Sequence, residues 1–324
     1  MDDRVVVLGA TGYVGRAVVD SMRAVGRTVV MVARRPPTGA RPDADFIACD
    51  AGEESQLAAA IGQAAVVVNV MRGTPSKMVR CARNLAAIGE HGAGTRIVHV
   101  SSLAVFGQAR GTLDEATTPA RMRWHAYAAG KLACEDILCA AGAVILRPGC
   151  IYGAGAPIWC ERIGRLLLAR RLGWLGRDGR GWCNVVHVDD VARSVLRALD
   201  ARDDDSGIHH VIAPDRLSWN DYFGRFAAQL GMALPRIGRL QLQAEMLLVS
   251  PFVHLCLGVG ARDIITPSMA RAFRCRALPI AGRPLVAPHE FRALDDGLAE
   301  AAAALRGRRV DDVASHRLFA AAMP

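Results

Sequence analysis

Tyr127 and Lys131 stand four residues apart in HAYAAGKLACED (125–136), a spacing at which a helix carries both on one face, one turn apart. A phenol with an ordinary pKa near 10 is a poor acid at neutral pH. A neighbouring ammonium stabilises its phenolate, brings the ionisation into range and makes the phenol a usable proton donor or acceptor. Both residue types are scarce: the chain has four tyrosines, and Lys77 and Lys131 are its only lysines. About 0.02 such pairs are expected by chance, so the match is specific. Ser102, closing the strand-like run in HVSSLAVFG (99–107), adds a hydroxyl that can hydrogen-bond a carbonyl or alkoxide oxygen. Ser101 is the alternative and would face the other side of an extended strand.

A second constellation lies at the start of the chain. GATGYVG (9–15) sets Gly9, Gly12 and Gly15 directly after the apolar run RVVVLG (4–9) and before a helical pattern. There a tight turn lets the backbone of Gly9, Thr11, Gly12, Tyr13, Val14 and Gly15 approach a pyrophosphate at a helix N-terminus. The triplet alone is weak, since about 0.3 copies would arise by chance, and its position after the first strand makes it informative. At the end of the second strand, where an acid would hold the ribose 2′-hydroxyl of NAD, the chain reads Met31-Val32-Ala33-Arg34-Arg35. Two guanidinium groups suit a 2′-phosphate, so NADP(H) is preferred, with NAD(H) possible. The plainer reading of Arg34 and Arg35 is incidental surface charge. Asp50, after the third strand, is placed to contact the adenine; otherwise it is an N-cap for the next helix. No metal-ligand pattern accompanies these residues.

The elements that must position these groups follow a βαβ rhythm. Apolar runs at 4–9, 28–33, 45–49, 65–70, 96–101 and 143–147 alternate with helical patterns, and their unbroken apolarity suits strands buried on both faces. Val14, Ala17, Val18, Met22 and Val25 recur at helical spacing after the glycine turn. The pattern predicts an α/β fold, a doubly wound, Rossmann-type parallel sheet over residues 1–150 with 184–212 returning to it. Residues 151–324 are expected to form a smaller, mostly helical region that binds the substrate.

Composition narrows the class. The 324 residues are 52% hydrophobic and 22% charged, as in a globular protein rather than a disordered one. The net charge of +9 comes from arginines spread along the chain without a basic run of five, which speaks against nucleic acid. Nine cysteines with no C-x-x-C pair read as buried reduced thiols. With the acidic start MDDRVVVLGA and no secretory leader pattern, they predict a cytoplasmic protein. The apolar stretch Met246 to Ala261, broken by Pro251 and His254, is too short to span a membrane and reads as a buried or lid helix or a membrane-surface contact. Asp203–Asp205 marks a loop.

Taken together, GATGYVG, SSLAVFG, the 25-residue step from Ser102 to Tyr127, YAAGK, RPGCIYG (147–153) and VHVDDVA (186–192) resemble the extended-type short-chain dehydrogenase/reductases, which include nucleotide-sugar epimerases. The resemblance implies hydride transfer between a nicotinamide and substrate carbon. Tyr127 would be the acid or base, Lys131 would also hold the nicotinamide ribose, Ser102 would polarise the oxygen, and Pro148 to Ile151 would line the nicotinamide. It also implies a homodimer. Arg147, His187, Asp189 and Asp190 belong to family motifs and are expected to brace the sheet and loops. The departures are Phe106 in place of the usual tyrosine, NVM at 69–71, and Cys183 where sugar epimerases carry arginine. Leu103 and Ala104 replace the acidic pair of sugar dehydratases. His125 could line the cleft, although capping is the commoner role, and the arginines between Arg162 and Arg180 could grip an anionic tail or coat a solvated helix.

Three functions compete. The first is an NADPH-dependent reduction of a ketone or aldehyde on a fairly apolar small molecule, motivated by Arg34 and Arg35 and by the hydrophobic C-terminal part. The second is a nucleotide-sugar epimerase with tightly held NAD. The third is a dinucleotide-sensing or assembly protein without turnover, which the intact Ser102, Tyr127 and Lys131 set disfavours.

Overall fold

A computed structural model of the chain describes residues 2–36, 45–91, 95–119, 125–200, 207–249 and 265–321. Asp203–Asp205, Cys256 and most of the stretch Met246 to Ala261 lie outside them. The chain divides into two compact units: Met1–Gly149, Val188–Pro214 and Ala277–Phe291 form the first, and Cys150–His187, Asp215–Arg276 and Arg292–Pro324 the second.

The first unit begins β1 (Asp2–Leu8), α1 (Tyr13–Ala24), β2 (Val29–Ala33), β3 (Phe46–Ala48), α2 (Glu54–Ile61), β4 (Ala64–Asn69) and α3 (Pro75–His91). It continues with β5 (Arg96–Val100), β6 (Arg110–Leu113), α4 (Ala126–Ala140) and β7 (Val144–Pro148). Its later stretches add α6 (Val188–Asp200), β10 (Ile208–Val211) and most of β11 (Arg276–Pro279). Seven strands form one parallel sheet in the order β10-β7-β5-β4-β1-β2-β3. Val5, Val6, Val7 and Leu8 are all at most 2% exposed, as a strand covered on both faces requires. Val6, Leu8, Val30, Val32, Val67, Ile97 and Ile145 share one face and pack with Leu57, Met78, Cys81, Leu85, Cys134 and Leu138 from α2, α3 and α4. Helices α1 and α6 pack together.

The chain runs outward from β1 to β3, then crosses to β4 on the other side of β1. That reversal makes the carboxyl ends of β1 and β4 the switch point, where doubly wound sheets open a crevice. Of the stretch 184–212 expected to return to this sheet, residues 208–211 supply β10 beside β7, whereas residues 185–187 form a strand of the second unit. Apolar β-branched pattern alone does not say which sheet a short strand joins, because register is a tertiary matter.

In the second unit, β8 (Cys150–Tyr152) pairs in parallel with β9 (Val185–His187), and α5 (Ile163–Leu168) and α7 (Trp219–Gln229) supply apolar faces. Trp219, Tyr222, Phe223 and Phe226 of α7 bury completely; Trp219 meets Trp159, and Trp219 and Phe223 meet Phe273, ring to ring. A reciprocal cap between Ser218 and Asp221 starts α7, and the helix Leu294–Ala321 packs against it. Among the described residues no cysteine forms a disulfide; five are buried, but Cys139 is exposed, contrary to the expected burial. No described helix is long and apolar enough to cross a membrane.

Candidate active site

The glycine turn follows from its steric demands. Gly9 takes φ +82°, and a Cβ there would sit 3.1 Å from the Met71 Cα and 3.3 Å from the Val70 carbonyl carbon. A Cβ on Gly15 would approach the Gly9 carbonyl oxygen to 2.2 Å, so only glycine lets α1 start this close to β1. Gly12 caps α1 without a side-chain acceptor for the first-turn N–H groups, and that turn, with Tyr13, Val14 and Gly15, holds no acid. Thr11 uses its carbonyl to accept from the Arg16 guanidinium at 3.0 Å. The result is a cradle of donors biased toward an anion.

Arg34 and Arg35 follow the carboxyl end of β2, the strand beside β1, and are exposed. Asp50 follows β3 and its carboxylate accepts the Gly52 N–H at 3.0 Å. The N-cap of α2 is Glu53, so the alternative capping role read for Asp50 is not the one it has. Among the described residues no cluster of three or more His, Cys, Asp or Glu could hold a metal ion.

Helix α4 carries the candidate acid–base pair, Tyr127 and Lys131. His125 caps it, its Nδ1 accepting the Ala128 N–H at 3.2 Å, so the helix-capping reading of this histidine holds. Tyr127 lies in the first turn, half-buried against the core under α4. Lys131, one turn on, is only 3% exposed. Its Nζ donates to the Val100 carbonyl at 2.8 Å and the Met71 carbonyl at 3.3 Å, tying α4 to the ends of β5 and β4. Burial pushes its pKa down to about 8; Cys134, Cys81 and Glu135 oppose that shift, and the Arg72 guanidinium adds to it.

Ser102 lies two residues beyond the carbonyl that Lys131 holds. Its Oγ accepts the Ala104 N–H at 3.2 Å and starts the 3₁₀ turn Leu103–Phe106, which packs against α4. That bond uses an oxygen lone pair, so the hydroxyl hydrogen can donate elsewhere. Ser101 is 3% exposed and, among the described residues, its Oγ has no hydrogen-bond partner. It points into the protein, as strand alternation demands.

Two residues that the sequence reading did not place in the site stand next to these groups. Glu135 continues the four-residue stripe after Lys131 and receives the buried Arg147 in a forked pair, Nη2 to Oε2 at 2.7 Å and Nε to Oε1 at 3.1 Å. Arg147 also lies 5.0 Å over the ring of Phe106. Glu135 was legible in principle, since 127, 131 and 135 share a helical face. Arg72, on the segment after β4, lies over the Tyr127 ring at 5.5 Å from its centroid. No spacing signal pointed to it, because this contact spans 55 positions in sequence.

Pro148 ends β7 in the first unit, and Ile151 lies in β8 of the second. Cys183 is 1% exposed in the second unit's core. Asp190 is buried and paired with Arg193 at 2.7 Å, and His187 meets the ring of Tyr152, both bracing roles. Arg171 pairs with Glu245 and Arg165 with Glu161, so part of the arginine series serves ion pairs within the second unit.

Residues 5–213 match the NAD dependent epimerase/dehydratase family. An uncharacterised protein of Mycobacterium tuberculosis is 29% identical over 239 residues, 72% of this chain and 24% of that protein. The chain thus spans about a quarter of that relative's length. A dTDP-6-deoxy-L-talose 4-dehydrogenase (NAD(P)(+)) of Kitasatospora kifunensis is 29% identical over 174 residues, 48% of this chain and 54% of that enzyme. The fold is similar to that of the UDP-glucuronic acid 4-epimerase from Bacillus cereus, solved in complex with NAD: TM-score 0.68, 16% identity, 94% of this chain and 99% of the other.

Proposed function

Because the chain belongs to the NAD dependent epimerase/dehydratase family, we propose that it is an NADP(H)-dependent oxidoreductase that reduces a ketone or aldehyde on a fairly apolar small molecule. The observation that carries this reading is the tie from Lys131 Nζ to the Val100 carbonyl at 2.8 Å, which anchors the helix bearing Tyr127 to the strand that leads into Ser102.

The glycine cradle fits a dinucleotide: a side chain at Gly9 or Gly15 would fill the space between the turn and its neighbours, and the first turn of α1 carries no acid to repel a pyrophosphate. Gly9, Thr11, Gly12, Tyr13, Val14 and Gly15 would hold the pyrophosphate, Asp50 the adenine side, Lys131 the nicotinamide ribose, and Pro148 the nicotinamide. Arg34 and Arg35 would grip the 2′-phosphate in place of the acid that selects NAD. When bound, NADPH supplies the hydride. Ser102 donates its hydroxyl hydrogen to the substrate oxygen and stabilises the negative charge that grows there. Tyr127 then gives its proton to that oxygen, so carbonyl, hydride and proton become an alcohol and Tyr127 is left as phenolate. Lys131 holds the phenolate by its charge until solvent restores the proton.

A panel of ketones and aldehydes with NADPH tests the proposal. Absorbance at the reduced nicotinamide should fall in step with alcohol formed, and replacing Arg34 and Arg35 by alanine should raise KM for NADPH at least tenfold while leaving NADH unchanged. A second reading, epimerisation of a nucleotide sugar with retained NAD, draws support from the Bacillus cereus fold and from the Kitasatospora relative. Against it, Cys183 is too deeply buried to grip a diphosphate. NAD released on denaturing the purified protein, with no turnover across the carbonyl panel, would favour the epimerase.

A further inference from the structure

We propose that Arg72 acts as a second cation for the Tyr127 phenolate, so that two charges rather than Lys131 alone set the pH range in which Tyr127 exchanges its proton. This rests on the reading of Tyr127 as the acid. The guanidinium carbon of Arg72 lies 5.5 Å from the centroid of the Tyr127 ring. A cation there is attracted to the ring face, and more strongly once the ring carries the phenolate's charge.

Among the described residues, the other ionisable groups around the Tyr127–Lys131 pair do not offer that service. On α4, His125 is committed to its cap through Nδ1, and Glu135 is matched by Arg147. Burial pushes the thiols of Cys134, to about 11, and of Cys81 on α3, to about 12, out of the working range. On β5, His99 is held neutral, well below its usual pKa, by burial and by Lys131. Among the described residues the uncompensated cations are therefore Lys131 and Arg72. They differ in permanence: Lys131, with its pKa near 8, gives up its charge in mildly alkaline solution. A guanidinium keeps its charge throughout. Geometry links the two, because Lys131 bonds the carbonyl of Met71, the residue before Arg72. Arg72 is a positioning and tuning group here, since it touches the phenol ring rather than the reacting carbon.

The test reads the phenol directly. Tyrosinate absorbance is titrated in the full-length protein, in Arg72→Met and in Arg72→Lys, each referenced to the same background carrying Tyr127→Phe. That difference isolates one phenol of four. Tyr222 is held far above its usual pKa by burial and stays silent. Arg72 is exposed, so both variants should fold. Arg72→Met should raise the Tyr127 pKa by roughly half to one pH unit, and Arg72→Lys should restore most of it. With a reduced carbonyl in hand, the alkaline limb of kcat/KM should move upward by the same interval while the Kd for NADP stays within twofold. An unchanged phenol titration overturns the proposal, as does an effect confined to the NADP Kd, which would make Arg72 a cofactor ligand only. The titration needs no turnover, so it succeeds or fails independently of whether any carbonyl is reduced.

Discussion

Lys131 holds an ammonium where water hardly reaches, and the fold bears the cost of that charge. Its proton leaves near pH 8 in the folded chain and near 10.5 in the unfolded one. Below pH 8 both states are charged and the cost of burial is present in full. Between the two values the unfolded chain binds more protons, so this group makes stability rise with pH. Relative to Lys131→Met, the wild type should gain roughly 2–3 kcal/mol between pH 7 and 10. Denaturant unfolding at both pH values checks this, and parallel pH dependence in the two proteins would remove the argument. The same residue-scale logic applies to Tyr127→Phe, which keeps the ring and loses the proton. It should lower kcat about 10²- to 10⁴-fold with little change in the Kd for NADPH.

At the scale of elements, the sequence pattern located α4 and β7, but the fastening between them is a buried ion pair. Arg147 is 2% exposed and Glu135 also 2%, so removing one partner strands a charge in the core. Arg147→Met should cost about 3–5 kcal/mol, while Arg147→Met with Glu135→Leu should recover most of it, because two apolar groups of similar size need no partner. Urea midpoints of the two single variants and the double variant measure that coupling. The turn before α1 obeys a harder rule. Gly15→Ala places a methyl 2.2 Å from the Gly9 carbonyl oxygen, and something must move. The cheapest movement opens the turn, so NADPH affinity should fall at least tenfold in fluorescence titration even where the protein stays folded.

For the whole molecule, connectivity is the deciding feature. The first unit takes Val188–Pro214 and Ala277–Phe291 as well as Met1–Gly149. Strand β10 covers the edge of β7, and His210 and Gly282 donate their backbone N–H groups to Glu115 at 3.1 Å and 2.9 Å. A fragment of residues 1–150 therefore keeps the glycine turn, Ser102, Tyr127 and Lys131, yet exposes β7 and leaves Glu115 without its partners. It should unfold without a cooperative transition and fail to bind NADPH, whereas the full chain should show a Tm that rises with NADPH concentration by mass action.

The consecutive apolar runs determined the parallel sheet and its six leading strands, because inner strands covered on both faces are apolar along most of their length; β3, at the end of the sheet, is apolar yet mostly exposed and departs from that expectation. Local spacing likewise determined the Tyr127–Lys131 pair, the serine strand and the glycine turn, since one helical turn or one tight bend sets each of those distances. What lay beyond local spacing was decided by the folded chain. Strand 184–188 joins β8 rather than the main sheet, Arg147 meets Glu135, Lys131 reaches the carbonyls of Val100 and Met71, and Arg72 settles over Tyr127. Each of these joins residues that only the sheet's order and the packing of α4 bring together, and burial, which tunes Lys131, is likewise a property of the assembled core.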